Sequence, residues 1–468
     1  MVHTLAEYYA DPHVRARMRE YLGASAETPS GSAAYVASLN RQSRRPIMWE
    51  NATRRPLSRL DEAWTDESDI ARSLLDARCL VFMFELDYLN PDAPAEPFVH
   101  PSEVLRRLEP AYEAVRSVVE SFGLWPYTLV TGRGYHFTGR IPLTAGVVGR
   151  LADVVPTTPA WLETVAVRSF GGPPCPVSVQ VARAWTGLGC LVEHLAHLVL
   201  KAQSTSAMPM VLNGTPVGVG RIGRECVSLD LSYVGDPLDT RYVRCAFSAY
   251  QTHAFRPDIF GHDVATSALP LAAVPRASHS LSAFLRLGRS LNAGKRAARR
   301  GPATLPDVTV GIERLLDHYL GSPLAAFHRQ FYEERKRGSS VRGRVPTGLP
   351  PCVAASLGRP NDLLLRPAHI QHLVRTLLAR GWSAAEAAQL VQTTYEADHE
   401  WGDRWRTRMD ATTRAEFEVR VFAGMVFTGT DRLIDFNCVS AQEKDLCPHS
   451  DCRYDLRIDR DRLRRQNR

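Results

Sequence analysis

The chain has 468 residues, 44% hydrophobic and 23% charged, which is enough apolar material for a sizeable core divided over two or three domains. Its formal charge of +7 comes almost wholly from arginine, with lysine only at Lys201, Lys295, Lys336 and Lys444, and guanidinium groups suit a polyanionic partner. The charged N-terminal stretch has no apolar signal core and no apolar run reaches bilayer-spanning length, so a cytoplasmic protein without a membrane partner is expected.

Residues 5–22 and 57–77 predict helices on either side of an arginine-rich segment, 41–55, suited to phosphate contacts or to a solvated loop. Residues 79–90, CLVFMFELDYLN, predict a strand. Alternation sends Glu85 and Asp87 out of one face, while Phe82, Phe84 and Leu86 anchor the other. Two carboxylates this close repel unless a cation sits between them, which points to a divalent metal. A periodic helix is expected over 102–122, opening on Ser102, and 127–130 predicts a short strand entering TGRGYH at 131–136. Within that run Gly132 and Gly134 permit close backbone approach, and Thr131, Arg133 and His136 offer donors that could cradle a triphosphate. A hairpin turn with a packed histidine gives the same pattern.

Further helices are expected over 143–170 and 186–203, then a strand over 226–231 that carries Asp230 near its end. A lone aspartate near a strand end is usually a turn cap. Arg244, Ser248 and His253 follow close together in sequence, all three of phosphate-capable types. Basic stretches flank a helix expected over 308–336, and 276–345 reads as a linker containing it. Helices are expected at 367–379, at 383–396 with a capping box on Ser383 and Glu386, and at 411–426. Nine cysteines in a reducing compartment would not be disulfides; Cys79, Cys175, Cys190, Cys226 and Cys245 suit small buried positions.

Taken in order, the hhhExD run ending at Glu85 and Asp87, the glycine run Thr131 to His136, the hD pair at Asp230 and the RxxxS at Arg244 and Ser248 resemble the archaeo-eukaryotic primase superfamily. Glu85 stands where that family usually has Asp, and Thr131 where Ser is usual. The resemblance implies an α+β fold, with a β-sheet core flanked by helices and an RRM-like nucleotidyltransferase half, over residues 1–275. It implies that Glu85, Asp87 and Asp230 bind two Mg²⁺ or Mn²⁺ ions. It also implies that Thr131, Gly132, Arg133, Gly134, His136, Arg244 and Ser248 hold a nucleoside triphosphate over a single-stranded DNA template. That set describes a primase-polymerase, the alternative being a degenerate module that only binds nucleic acid.

Residues 346–468 resemble the helical iron-sulfur domain of the primase large subunit. The matching features are LPPC with Cys352, RGWS at 380–383, Tyr395-x3-His399-x2-Gly402 and the late Cys438, Cys447 and Cys452. By that resemblance Cys352, Cys438, Cys447 and Cys452 ligate a 4Fe-4S cluster, and Tyr395 and His399 contact template and primer. The residues themselves leave a cluster and a tetrahedral Zn²⁺ both open, though the spacing is not that of paired CxxC units.

Overall fold

A computed structural model of the chain describes residues 4–40, 52–165, 176–203, 208–215, 225–267, 269–276, 280–338, 346–358, 366–397, 409–447 and 452–466. It is an α+β protein whose chain divides into two interleaved units. The first holds Met1–Val148, Thr164–Val181 and Leu238–Ile312; the second holds Gly149–Glu163, Ala182–Pro237 and Glu313–Arg468. The units therefore do not follow the expected boundaries at 275 and 345.

The principal strands in chain order are β1 (Val36–Leu39), β2 (Thr53–Arg55), β3 (Asp69–Ser73), β4 (Cys79–Leu89), β5 (Tyr127–Val130), β6 (Gly134–Pro142), β7 (Met210–Leu212), β8 (Cys226–Asp230), β9 (Tyr242–Arg244) and β10 (Val274–Pro275); Ala249–Tyr250 and Leu271–Ala272 form a further two-residue pair. The principal helices are α1 (Pro101–Ser121), α2 (Val179–Ala202), α3 (Thr309–Leu320), α4 (Pro323–Arg337), α5 (Pro367–Ala379), α6 (Ala384–Ala397) and α7 (Ala411–Phe427). Among the described residues no helix is long and apolar enough to cross a membrane.

In the first unit, β2, β1, β3 and β9 form one antiparallel sheet, and β10, β5, β6 and β4 pair antiparallel in that order. The alternation expected on β4 sets the core. Phe82, Phe84 and Leu86 are fully buried, and their cross-strand neighbours Tyr135 and Phe137 stack against Tyr112 of α1 at ring distances of 4.8 and 6.0 Å. The opposite face carries buried Val81 and Met83 and then, toward the strand's end, Glu85 and Asp87.

Several expected elements are corrected. The helix over 57–77 stops at Thr65, and Asp69–Ser73 is a fully buried strand bonded on both edges. Five successive buried residues carry no periodicity that separates strand from helix. Residues 5–22 form two helices, because Asp11 caps a new start at Pro12 by accepting from the amides of His13 and Val14. Helix α1 begins at Pro101 with His100 before it, so Ser102 is not its cap. The helix over 143–170 is two short pieces, Gly146–Ala152 and Leu162–Val165, and residues 166–175 lie outside the described residues. The helix over 308–336 breaks at Ser322 and Pro323 into α3 and α4.

The stretch after 275 is not linker throughout. Arg276 is buried, forks onto Glu109 at 2.6 and 3.0 Å, donates to the Tyr135 hydroxyl and lies 4.1 Å over the Tyr112 ring, all within the first unit. In the second unit, β7 and β8 pair in parallel, and α4, α5, α6 and α7 pack as a helical group. The capping box at Ser383 and Glu386 forms as expected, with the two reciprocal bonds at 2.8 and 3.2 Å.

Candidate functional site

The β4–β6 register builds the centre of the first unit's polar face. Glu85 faces His136 across the ladder, and Asp87 faces Gly134. Glu85 Oε1 lies 3.3 Å from His136 Nε2, and Arg133 donates to Asp87 Oδ2 at 2.6 Å. The Nδ1 atom of His136 is buried and has no hydrogen-bond partner among the described residues. The repulsion between two carboxylates on one face is thus met here by a guanidinium on one and an imidazole against the other. Oxygen donors on a common face suit a hard divalent cation, and Arg133 would have to leave Asp87 to admit one.

Residues 131–134 close a hairpin between β5 and β6. The Thr131 amide donates to the Gly134 carbonyl at 2.9 Å, and the Gly134 amide donates back to Thr131 Oγ1 at 3.2 Å. Both glycines are required by close approach and not by a left-handed backbone. A Cβ at Gly134 would lie 1.8 Å from the Leu86 carbonyl oxygen, and one at Gly132 would lie 2.2 Å from the Tyr250 ring. A residue that sequence reasoning assigned to the linker holds this turn. Arg289, buried in the first unit, donates to the carbonyls of Thr131 and Gly132, and burial drives its pKa down to about 10. Only its position in a basic run was visible in the sequence, and that favours solvent.

Arg244 and Ser248 sit apart from the hairpin's donors in their bonding. Arg244 ends β9, is 6% exposed, pairs with Asp69 Oδ2 at 3.1 Å, donates to the Ala249 carbonyl and stacks 4.2 Å over Tyr250. Burial raises the pKa of Asp69, and the Arg244 guanidinium opposes that rise. Ser248 is fully buried, with Oγ accepting from Ile70 and donating to Ala249. Both therefore brace the β3–β9 sheet. Tyr250 connects Arg244 to the site, since its ring contacts Arg244 on one side and abuts Gly132. In the arginine-rich segment, 41–51 lies outside the described residues, while Arg54 donates to Thr240 and Arg55 pairs with Asp66 at 2.6 Å.

Asp230 closes β8 in the second unit. Its Oδ1 accepts from the Ser232 amide at 2.8 Å, the turn-cap geometry that a lone aspartate at a strand end commonly adopts. Tyr395 is 1% exposed and belongs to the core of the second unit, so its ring is not presented to a nucleic acid strand; His399 lies outside the described residues.

Also in the second unit, Cys352, Cys438, Cys447 and Cys452 line one cavity of ≈ 40 Å³. Backbone amides already serve two of the sulfurs, Leu456 N–H donating to Cys438 Sγ at 3.5 Å and Tyr454 N–H to Cys452 Sγ at 3.4 Å. Burial, then the neighbouring cysteines, pushes the Cys352 thiol up to about 12, and its sulfur lies 3.2 Å from His372 Nε2. Four convergent sulfurs, two of them served by backbone amides, fit a thiolate-bound metal group. Among the described residues, however, no three His, Cys, Asp or Glu side chains already form a ligand shell. Tyr454 also borders a neighbouring cavity lined with Arg380, Arg462 and Trp382. The other described cysteines, Cys79, Cys190, Cys226 and Cys245, are buried as expected. Comparison with family models, with curated proteins and with solved structures finds no match.

Proposed function

We propose that the chain is a primase-polymerase of the archaeo-eukaryotic primase type, which transfers NTP or dNTP onto a 3′ hydroxyl opposite a single-stranded DNA template and also starts chains. The observation that carries the reading is the β4–β6 pairing, which sets Glu85 against His136 and Asp87 beside Arg133 on one polar face. In the proposed reaction the 3′ hydroxyl releases its proton to solvent, its oxygen bonds to the α-phosphorus, the bond from that phosphorus to the bridging oxygen breaks, and pyrophosphate leaves with its electron pair. Mg²⁺ or Mn²⁺ held by Glu85, Asp87 and Asp230 would lower the hydroxyl's pKa and stabilise the leaving group.

The chain's own residues do the rest. His136 is held by the ladder with an uncommitted ring nitrogen, suited to a phosphate oxygen. Arg133, on exchanging Asp87 for a triphosphate, would neutralise part of its charge. Arg289 fixes the turn from behind through two carbonyls, so that the donors need not reorganise when the nucleotide arrives. In the second unit the guanidiniums of Arg380 and Arg462 and the ring of Tyr454, around the cavity they line, suit phosphates and an unstacked base. The four-cysteine cavity is proposed to hold a 4Fe-4S cluster, with Zn²⁺ as the alternative.

One observation favours a second reading, a module that binds nucleic acid without chemistry: the Arg133–Asp87 ion pair already satisfies a carboxylate the metals need. Primer extension and unprimed synthesis with Mn²⁺ and each nucleotide set separate the two. Incorporation by the native chain that disappears in Asp87→Ala supports the enzyme. No incorporation by the native chain, or activity that survives the substitution, refutes it.

A further inference from the structure

The turn that follows Asp230 is gripped by a helix more than 180 positions further along the chain, and the grip centres on one arginine. After β8, residues Ser232–Gly235 make a single 3₁₀ turn ending at Asp236. Arg414, near the start of α7, donates from Nη1 to the Ser232 carbonyl at 3.3 Å and lies 3.6 Å from Asp236 Oδ1 and 3.5 Å from Glu418 Oε1. Burial works against its charge, but Asp236, Glu418, Tyr395 and Asp230 together hold its pKa above the ordinary guanidinium value.

Packing confirms that this turn has no slack. A Cβ at Gly235 would stand 2.4 Å from the Phe417 ring of α7, and one at Gly189 on α2 would stand 2.0 Å from Val234. The turn is therefore clamped between α2 and α7. Its first residue after the strand, Leu231, is tied separately through its amide to Asn213 Oδ1 at 2.8 Å.

We infer that Arg414 is a positioning residue for Asp230: by bonding Ser232 and neutralising Asp236, it fixes the turn that aims this carboxylate, and so ties the C-terminal helices to cation binding. The inference rests on the proposed role of Asp230 as a cation ligand. It gives α7 a part that neither the cysteine cavity nor template binding supplies. A guanidinium can reach the carbonyl and both carboxylates at once, whereas an ammonium is a point donor and can satisfy only some of them.

The test uses the full chain as Arg414→Met and Arg414→Lys, with Asp230→Asn as the ligand control. Mn²⁺ binding is read from the loss of the free-ion EPR signal without nucleotide, and hydrogen exchange is read at the amides of 231–236. The expected result is Mn²⁺ affinity weakened about 10–100-fold in Arg414→Met and less in Arg414→Lys, the usual scale for residues that orient ligands. Exchange in the turn speeds up while the far-UV CD spectrum stays native. Where turnover is measurable, kcat falls more than nucleotide KM rises. If Arg414→Met fails to fold, Arg414→Lys decides.

Native Mn²⁺ affinity in a folded Arg414 variant overturns the inference, as does an Asp230→Asn chain that binds Mn²⁺ like the native one. A native chain that does not bind Mn²⁺ overturns it too. Mn²⁺ binding that depends on Asp230 and Arg414 in a chain that incorporates no nucleotide leaves this inference standing and refutes the polymerase reading instead.

Discussion

Replacing Gly134 with alanine tests whether the site depends on the closeness of β4 to β6. The added Cβ would meet the Leu86 carbonyl oxygen at 1.8 Å, the Leu86 carbonyl carbon at 2.8 Å and the Asp87 Cα at 2.9 Å. All three are backbone atoms, so no side chain can swing aside, and the strands must part by about 1.2 Å to bring the first contact to 3.0 Å. Parting them strains the bond from the Tyr88 amide to the Arg133 carbonyl, now at 3.0 Å. One net hydrogen bond at ~1 kcal/mol, with ~1–2 kcal/mol of overpacking, gives a loss of about 2–3 kcal/mol. The first urea transition of the full chain and the hydrogen exchange of the β4 and β6 amides measure it. Gly146→Ala is the comparison, because a Cβ there meets nothing within 4 Å and its cost should be near zero. Gly134→Ala within about 0.5 kcal/mol of the native chain would refute the requirement for close approach.

Three further outcomes are expected. Glu193, fully buried, pairs with His328 at 3.2 Å and Arg420 at 3.0 Å, so Glu193→Gln strands two buried cations and should cost about 3–5 kcal/mol by urea denaturation. Cys352→Ser should abolish the metal content of the purified chain, measured by elemental analysis; a brown native preparation indicates iron and a colourless one with zinc indicates the alternative. Stability against pH should peak near neutrality and fall more steeply on the acid side. Burial lowers His194 to about 3 and His197 to about 4, so both lose stability as pH falls below their unfolded value of ~6.5, together at up to about 2.7 kcal/mol per pH unit. His328 goes the other way: burial opposes its charge, but Glu193 and Cys190 raise it to about 9. Its contribution is complete below ~6.5 and fades as pH rises through about 9, at up to about 1.4 kcal/mol per unit. A flat profile between pH 5 and 9 would sink this account.

The parts of the fold legible in the sequence are those with a clear period. Alternation along 79–90 gave β4 and its two faces, and helices α5, α6 and α7 fall within a residue of expectation because apolar spacing and a capping box mark them. Asp69–Ser73 was not legible, since a strand buried on both faces has no alternation to read. Basic residues misled in the same physical way at two positions. Arg276 and Arg289 look like solvent-facing charge, yet each is buried against partners distant in sequence: Glu109 and Tyr135 for the first, the 131–132 carbonyls for the second. Arg244 and Ser248 show the converse. Phosphate-capable residue types turn out to be engaged with Asp69, Ile70 and Ala249.

The same long-range bonding bears on what the C-terminal helices do. A chain ending before residue 346 would keep Glu193 and His328 but lose Arg420, which bonds Glu193 and the Tyr332 hydroxyl. It would also strand Arg335, whose three nitrogens engage Glu416, Gln389 and Gln392. Phe417, against which Gly235 packs, and Arg414, which holds Ser232, would go as well. Each loss leaves a buried charge or a cavity in the unit that carries Asp230, and buried charges without partners cost several kcal/mol each. The helices from Pro367 onward are therefore part of the core around the turn that follows β8, through Arg414 on Ser232 and Phe417 against Gly235.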